Sequence, residues 1–190
     1  MLTPATLPTL ETERLILRPF QMADAPAVQA LASAWEIADT TLNVPHPYPD
    51  DGAATWIASH PARVERGQYT FAMVRRQDDV LVGSMGIGAN PMHNKGELGY
   101  WVGLPYWNQG YATEAARRIV RWGFEELELN RIYGRYLVRN PASGRVMQKA
   151  GLKYEGTFRQ DVLKWGVYED IGQCGLVRAE YSRLTTDRAV

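Results

Sequence analysis

The chain has 190 residues, 45% hydrophobic and 22% charged, which suits one globular domain with a sizeable core. Twenty-one basic residues balance twenty-one acidic ones, which argues against a whole-surface attraction to nucleic acid or anionic lipid and leaves only a local basic patch open. A lone cysteine, Cys174, excludes an internal disulfide, and His46, His60 and His93 lack metal-ligand spacing.

Residues 1–10 contain two prolines and predict a loose arm. No basic region leads into an apolar run, and no stretch reaches the ~18 apolar residues of a membrane span. The expectation is a soluble, cytoplasmic protein with no metal, nucleic-acid or membrane partner. Residues 14–19 read as a strand. A helix follows with Asp24 as its cap and Val28, Leu31 and Ala32 turned inward. The prolines of 43–49 predict an extended connection, because each disfavours helix in the residue before it. Asp50 or Asp51 then opens a second helix running toward Arg63.

Strands are predicted near 69–75, 80–89 and 96–103, the first two forming a hairpin around Gln77-Asp78-Asp79. The helix from Tyr111 is the clearest element, with Ala112, Ala115, Ile119, Val120, Phe124 and Leu127 at three-four spacing. Residues 131–138 read as a strand. Asn140 and Pro141 start a helix that Gly151 ends. Strands at 153–160 and 168–178 complete the order. This predicts a single α/β domain over 1–190, with a mixed, mostly antiparallel sheet of about seven strands flanked by about four helices.

Chemistry concentrates in residues 96–115, which read as strand, glycine turn and helix start. A helix start offers backbone N–H groups without intrahelical partners, together with about half a positive charge. Gly110 lets an anion approach that backbone. Arg117, Arg118 and Arg121 either add charge beside the anion or form a solvated face, with Glu114 and Arg118 as an i,i+4 pair. The stretch has neither the Walker pattern nor the dinucleotide fingerprint, which removes nucleoside triphosphates and nicotinamide cofactors as leading ligands. Glu97, at the far end of the strand, is a candidate base. Alternation puts it on one face with Gly99 and Trp101 unless a bulge intervenes.

The run Trp107-Asn108-Gln109-Gly110-Tyr111-Ala112 resembles the acetyl-CoA pyrophosphate motif of GNAT-type N-acetyltransferases, written Gln/Arg-x-x-Gly-x-Gly/Ala. Trp107 stands where Gln or Arg is usual, as in the RimJ/RimL-like branch. Three further stretches resemble that branch: Glu11-Thr12-Glu13-Arg14-Leu15-Ile16-Leu17-Arg18, Gly96-Glu97-Leu98-Gly99-Tyr100-Trp101, and Asn140-Pro141-Ala142-Ser143 with Lys149-Ala150-Gly151-Leu152. The resemblance spans roughly residues 11–180. It implies a sheet splayed between the strands at 96–103 and 131–138, with acetyl-CoA as co-substrate. Main-chain groups of Tyr100, Trp101 and Val102 would meet the pantetheine arm. Backbone N–H groups of Trp107, Asn108, Gln109, Gly110, Tyr111 and Ala112, with Thr113, would cradle the pyrophosphate. Asn140 would reach the pantetheine or sulfur end. A homodimer is also implied.

Acetyl transfer to an amine needs a neutral nucleophile, donors for the oxyanion and a proton for the leaving thiolate. Glu97 is the candidate base and Ser143 the first candidate acid, with Tyr154 and Tyr136 as alternatives. Cys174 reads as a small buried hydrophobe, which favours direct transfer in a ternary complex. A protein N-terminal α-amine, near pKa ~7.8, costs about 3.5 kcal/mol less to deprotonate at neutral pH than a lysine near ~10.4. One carboxylate therefore suits an α-amine or another small-molecule amine as the acceptor. Trp35, Trp56, Trp101, Trp107 and Tyr48 read either as core or as walls of an acceptor pocket. The competing functional reading is a non-catalytic CoA-binding module for regulation or assembly. An acyltransferase with a longer donor is a further alternative.

Overall fold

The computed structural model describes residues 7–186. In chain order the elements are β1 (Leu10–Glu11), β2 (Leu15–Pro19), α1 (Ala25–Ala32), α2 (Trp35–Thr40), α3 (Gly52–Ala58), α4 (His60–Glu65), β3 (Gln68–Arg75), β4 (Val80–Asn90) and β5 (Lys95–Val102). After them come α5 (Tyr111–Glu125), β6 (Arg131–Leu137), α6 (Pro141–Lys149), β7 (Lys153–Lys164), β8 (Val167–Val177) and α7 (Arg178–Thr186). The eight strands form one sheet, ordered β1-β2-β3-β4-β5-β6-β8-β7. Every neighbouring pair is antiparallel except β5 and β6, which α5 connects as a parallel crossover.

The strands predicted from alternation are all present. The extra strand is β1, where Leu10 pairs with Leu17 and is buried, so the arm ends in the sheet. Residues 1–6 lie outside the described residues. Helices beyond the expected four arise where local pattern is weak. α2 is only six residues long, and the predicted second helix is divided into α3 and α4 next to Pro61, which has no N–H to donate. Among the described residues, no helix is long and apolar enough to cross a membrane.

Two caps behave differently. Asn140 does cap α6, accepting the Ser143 N–H at 3.4 Å. Leu152 N–H reaches the Met147 carbonyl and Gly151 N–H the Gln148 carbonyl, closing α6 with a left-handed Gly151 at φ 101°. Asp24 instead stands at the head of α1 without capping it. Its carboxylate is gripped by both Arg18 Nη atoms at 2.8 Å and by the Gln21 N–H at 2.8 Å. A charged pair outcompetes a neutral cap for the same oxygens.

The sheet has two differently covered faces. On one, Phe71, Met85, Ile87 and Leu98 pack against Ile119 and Trp122 of α5 and against Met147 of α6. Trp122 is fully buried, edge-on to Tyr69 and Phe71. On the other, Ala72, Val74 and Leu81 meet Val28 and Ala32 of α1 and Ala53 and Ile57 of α3. This second cover stops short of the middle of the sheet and leaves a cavity there.

Candidate active site

Parallel pairing of β5 with β6 runs from Lys95–Arg131 to Leu98–Gly134 and stops, although β5 continues to Val102 and β6 to Leu137. β5 stays paired with β4 throughout. Its other edge is therefore open after Leu98. Gly103 N–H bonds the Val82 carbonyl on β4. By two-residue alternation, the main-chain groups of Gly99 and Trp101 also face β4, while those of Tyr100 and Val102 face the opening. The Val102 carbonyl already accepts the Trp107 indole N–H at 2.5 Å. Trp107 thereby fastens the following turn to the strand. Tyr100 N–H and C=O and Val102 N–H remain directed into the splay. Trp101 was expected among the main-chain donors to this edge. It faces β4 instead, and its ring packs with the α1–α3 cluster.

The turn after β5 has two left-handed residues, Asn108 at φ 60° and Gly110 at φ 83°. Only a glycine tolerates the second without strain. α5 begins without a side-chain cap, and its first bond is Glu114 N–H to the Gly110 carbonyl at 3.1 Å. Among the described residues, no acceptor takes the N–H groups of Asn108, Gln109, Gly110, Tyr111, Ala112 and Thr113. They form a row of donors that suits a phosphate. Trp107 N–H does not belong to it, because it bonds the Leu104 carbonyl at 3.2 Å.

The cation beside this turn is Arg14, nearly a hundred residues away in sequence. Its Nε meets Glu114 Oε2 at 2.7 Å, its backbone N–H meets Oε1 at 2.8 Å, and its Nη1 meets the Gln109 carbonyl at 3.0 Å. Thr12 Oγ1 adds a 2.6 Å bond to Glu114, and the Arg14 guanidinium lies 4.8 Å over the Tyr111 ring. Burial alone would raise the Glu114 pKa, but the bonds from Thr12 and Arg14 hold it below the ordinary carboxylate range. The expected Glu114–Arg118 pair is thereby replaced. Arg117 reaches the Lys149 carbonyl, Arg118 approaches Glu126 and Arg121 pairs with Glu125. None of these contacts involves the turn, since α5 rises about 1.5 Å per residue and carries Arg121 far along its axis.

On the other face lies an open cavity of about 1270 Å³. Glu97, Gly99 and Trp101 share this face as alternation predicts, and the β4–β5 register is unbroken, so no bulge shifts them. Glu97 accepts Tyr133 Oη at 3.0 Å and Arg135 Nε at 3.0 Å. Burial pushes the Tyr133 phenol up and the Glu97 charge adds to this, so the phenol stays protonated as a donor. A Cβ added at Gly99 would meet nothing within 4 Å. Trp56 and Tyr48 line the cavity, whereas Trp35 stacks on Trp165 outside it.

Ser143 reaches the cavity from the first turn of α6. Tyr100 Oη donates to the Ser143 carbonyl at 2.8 Å and lies 2.8 Å from its Oγ. With the phenol proton on the carbonyl, the serine hydroxyl donates to the phenol oxygen. Burial drives the Tyr100 pKa far upward, so this pair is neutral. Tyr136 also lines the cavity, its ring wedged between Gly144 and Gly172, and burial raises its phenol. Tyr154 is exposed and bonded to Thr157 Oγ1, away from the cavity lining. Both polar atoms of the Asn140 side chain have protein partners, Ser143 N–H and the Thr40 carbonyl. Cys174 is buried and its thiol pushed up by burial, which leaves it a poor nucleophile.

An unpaired strand edge, an uncapped donor row and a carboxylate-bearing cavity meet at one splay. The residues present fit a long, amide-bearing arm joined to a diphosphate, the ligand of a CoA-dependent acyltransferase. The acetyltransferase (GNAT) domain profile matches residues 14–153, and the chain belongs to that family: it is an N-acetyltransferase that takes its acetyl group from acetyl-CoA. It is 31% identical over 173 residues to the uncharacterized N-acetyltransferase YoaA of Bacillus subtilis (strain 168), covering 90% of this chain and 97% of that one. It is 26% identical over 108 residues to the ribosomal-protein-serine acetyltransferase of Escherichia coli (strain K12), covering 56% and 60%, which accords with the RimJ/RimL-like branch. Its fold superposes on a GNAT acetyltransferase from Bacillus anthracis with TM-score 0.83 at 24% identity, covering 91% of this chain and all of that one.

Proposed function

We propose that this protein acetylates the α-amine of a polypeptide N-terminus, or a small-molecule amine of similar basicity, by direct transfer in a ternary complex. The observation that carries the reading is the donor row from Asn108 to Thr113 opening beside the unpaired edge at Tyr100 and Val102. Acetyl-CoA supplies the thioester whose carbonyl carbon the amine attacks, the C–N bond forming as the C–S bond breaks.

The free N–H groups of 108–113 hold the pyrophosphate, while Tyr100 and Val102 pair with the pantetheine amides. Tyr100 N–H polarises the acetyl carbonyl. Glu97, with one hydrogen bond already on each oxygen, keeps lone pairs for a water that removes the ammonium proton. Ser143 Oγ turns its proton from the phenol oxygen to the departing sulfur and recovers one from solvent in the open cavity, while Tyr100 stays protonated and holds the serine in place. Buried Cys174 offers no covalent route.

Thiol release from acetyl-CoA across a panel of N-terminal peptides, lysine peptides and small amines tests this. Peptide α-amines should turn over best, and Glu97→Gln should lose most rate at low pH, where deprotonation is hardest. Tight CoA binding without turnover of any acceptor would instead favour a regulatory CoA-binding module.

A further inference from the structure

Four charged residues line the cavity: Asp51, Arg63, Glu97 and Arg135. Glu97 and Arg135 neutralise each other at 3.0 Å. Asp51 precedes α3 without a side-chain capping bond and accepts the Thr55 hydroxyl at 3.4 Å. Arg63 is different. It sits in the last turn of α4, half-buried, and among the described residues it makes no ion pair and no side-chain hydrogen bond. Its Nε is sealed from solvent without a partner.

An arginine there could simply complement the C-terminal end of its helix. That role leaves the guanidinium hydrated, whereas this one is partly dehydrated and faces a cavity. Such a cation attracts an anion more strongly than a surface arginine does. Among the described residues, no carboxylate lies within ion-pair distance of it. His60, one turn back, is wedged between Phe20 and Trp56 with both ring nitrogens unpartnered, and burial with Arg63 beside it pushes its pKa down to about 4.

The sheet register sets the distance from the reacting end. Gln68 pairs with Gly88, and Gly88 with Glu97. Gln68 therefore lies two strands from the carboxylate, about 10 Å at normal strand spacing. Its side-chain amide lies across Gly88, where a Cβ would come within 2.6 Å of Oε1, and among the described residues that amide makes no hydrogen bond. An unpartnered amide and an unpartnered guanidinium thus line one cavity, five residues apart across the tight turn at Arg66 and Gly67.

We propose that Arg63 and Gln68 form an acceptor subsite that reads a carboxylate carried about 10 Å from the acetylated nitrogen. This deepens, and rests on, the acetyl-transfer reading above. At about 3.4 Å per extended residue, an aspartate or glutamate at the second or third position of a peptide reaches that far. The α-carboxylate of a free amino acid does not. A polycationic amine would meet Arg63 as a like charge.

The test uses the full chain and four acceptors: a peptide with glutamate at its second or third position, its glutamine counterpart, an ω-amino carboxylic acid of equal span, and the amide of that acid. The glutamate peptide should have a KM at least about tenfold below the glutamine peptide at similar kcat. Arg63→Gln should erase that ratio, and Arg63→Lys should restore part of it. Calorimetry on the CoA-loaded protein should show the same preference without turnover. Preference for the ω-amino acid over its amide would support the subsite and assign its carboxylate to a small amine. Equal binding of the glutamate and glutamine peptides, or a preference that survives in a folded Arg63→Gln protein, would overturn the subsite. Calorimetric preference with no transfer to any acceptor would instead sink the acetyl-transfer reading.

Discussion

The two ends of the cleft are made from different materials. The end beside α5 is main chain: free N–H groups from Asn108 to Thr113 and the open edge at Tyr100 and Val102. The cavity end is side chain: Glu97 on Tyr133 and Arg135, an empty space over Gly99, and Arg63 without a counter-ion. A backbone site accepts one invariant ligand and tolerates side-chain change, provided the turn keeps its shape. A side-chain site can be rewritten residue by residue. One fold can therefore keep a common co-substrate while its acceptor varies.

Substitutions at the two ends should then separate in what they damage. The largest effect is expected at their junction. Ser143→Ala should lower kcat about 100-fold with little change in CoA affinity. If Tyr136→Phe gives that loss and Ser143→Ala does not, the proton comes from the phenol. Gly110→Val puts a β-branched residue at φ 83° and a methyl near Arg14, so CoA affinity measured by calorimetry should fall about tenfold or more. Acceptor binding should be unchanged.

Gly99→Leu is the mirror experiment. Its side chain enters open space, so the melting temperature and CoA affinity should hold while the acceptor KM rises about fivefold. A parallel loss of CoA affinity would show that the two ends are not independent.

The smallest effect concerns the wall behind Arg63. The His60 pKa is lowered from 6.5 to about 4 in the fold, so between those values the unfolded chain binds a proton that the folded chain refuses. Stability should be insensitive to this group above 6.5, fall as pH drops from 6.5 toward 4, and level off below. His60→Phe should flatten that part of the melting-temperature profile. An unchanged slope would mean the imidazole is not sealed.

The same division explains what could be read from the amino acids. The glycine turn, the Asn140-Pro141 start and the Gly151 stop are local devices, written within a few residues of where they act. That the sheet is mixed could be read from the element order, whereas the splay between the strands at 96–103 and 131–138 came only from the family resemblance. The Arg14–Glu114 clamp was hidden because its members lie on β2 and α5, and i,i+4 spacing pointed to Arg118 instead. The Glu97–Tyr133–Arg135 cluster depends on the register between β5 and β6, which no local pattern encodes. α2 escaped notice because six residues hold too little period to stand out. Its position depends on distant contacts: Lys164 from β7 donates to the Ala38 and Thr41 carbonyls, and Arg139 after β6 bonds Asp39.

Tyr100 belongs to both materials at once. Its peptide group looks into the splay, while its phenol, beneath the sheet, holds the carbonyl and hydroxyl of Ser143. A single rigid residue thus acts as a spacer of set length between strand edge and helix tip. Any slide of α6 along the sheet must drag the strand with it or break both bonds. The alignment of the two partners is inherited from one side chain, and it needs no loop to restore it after each turnover.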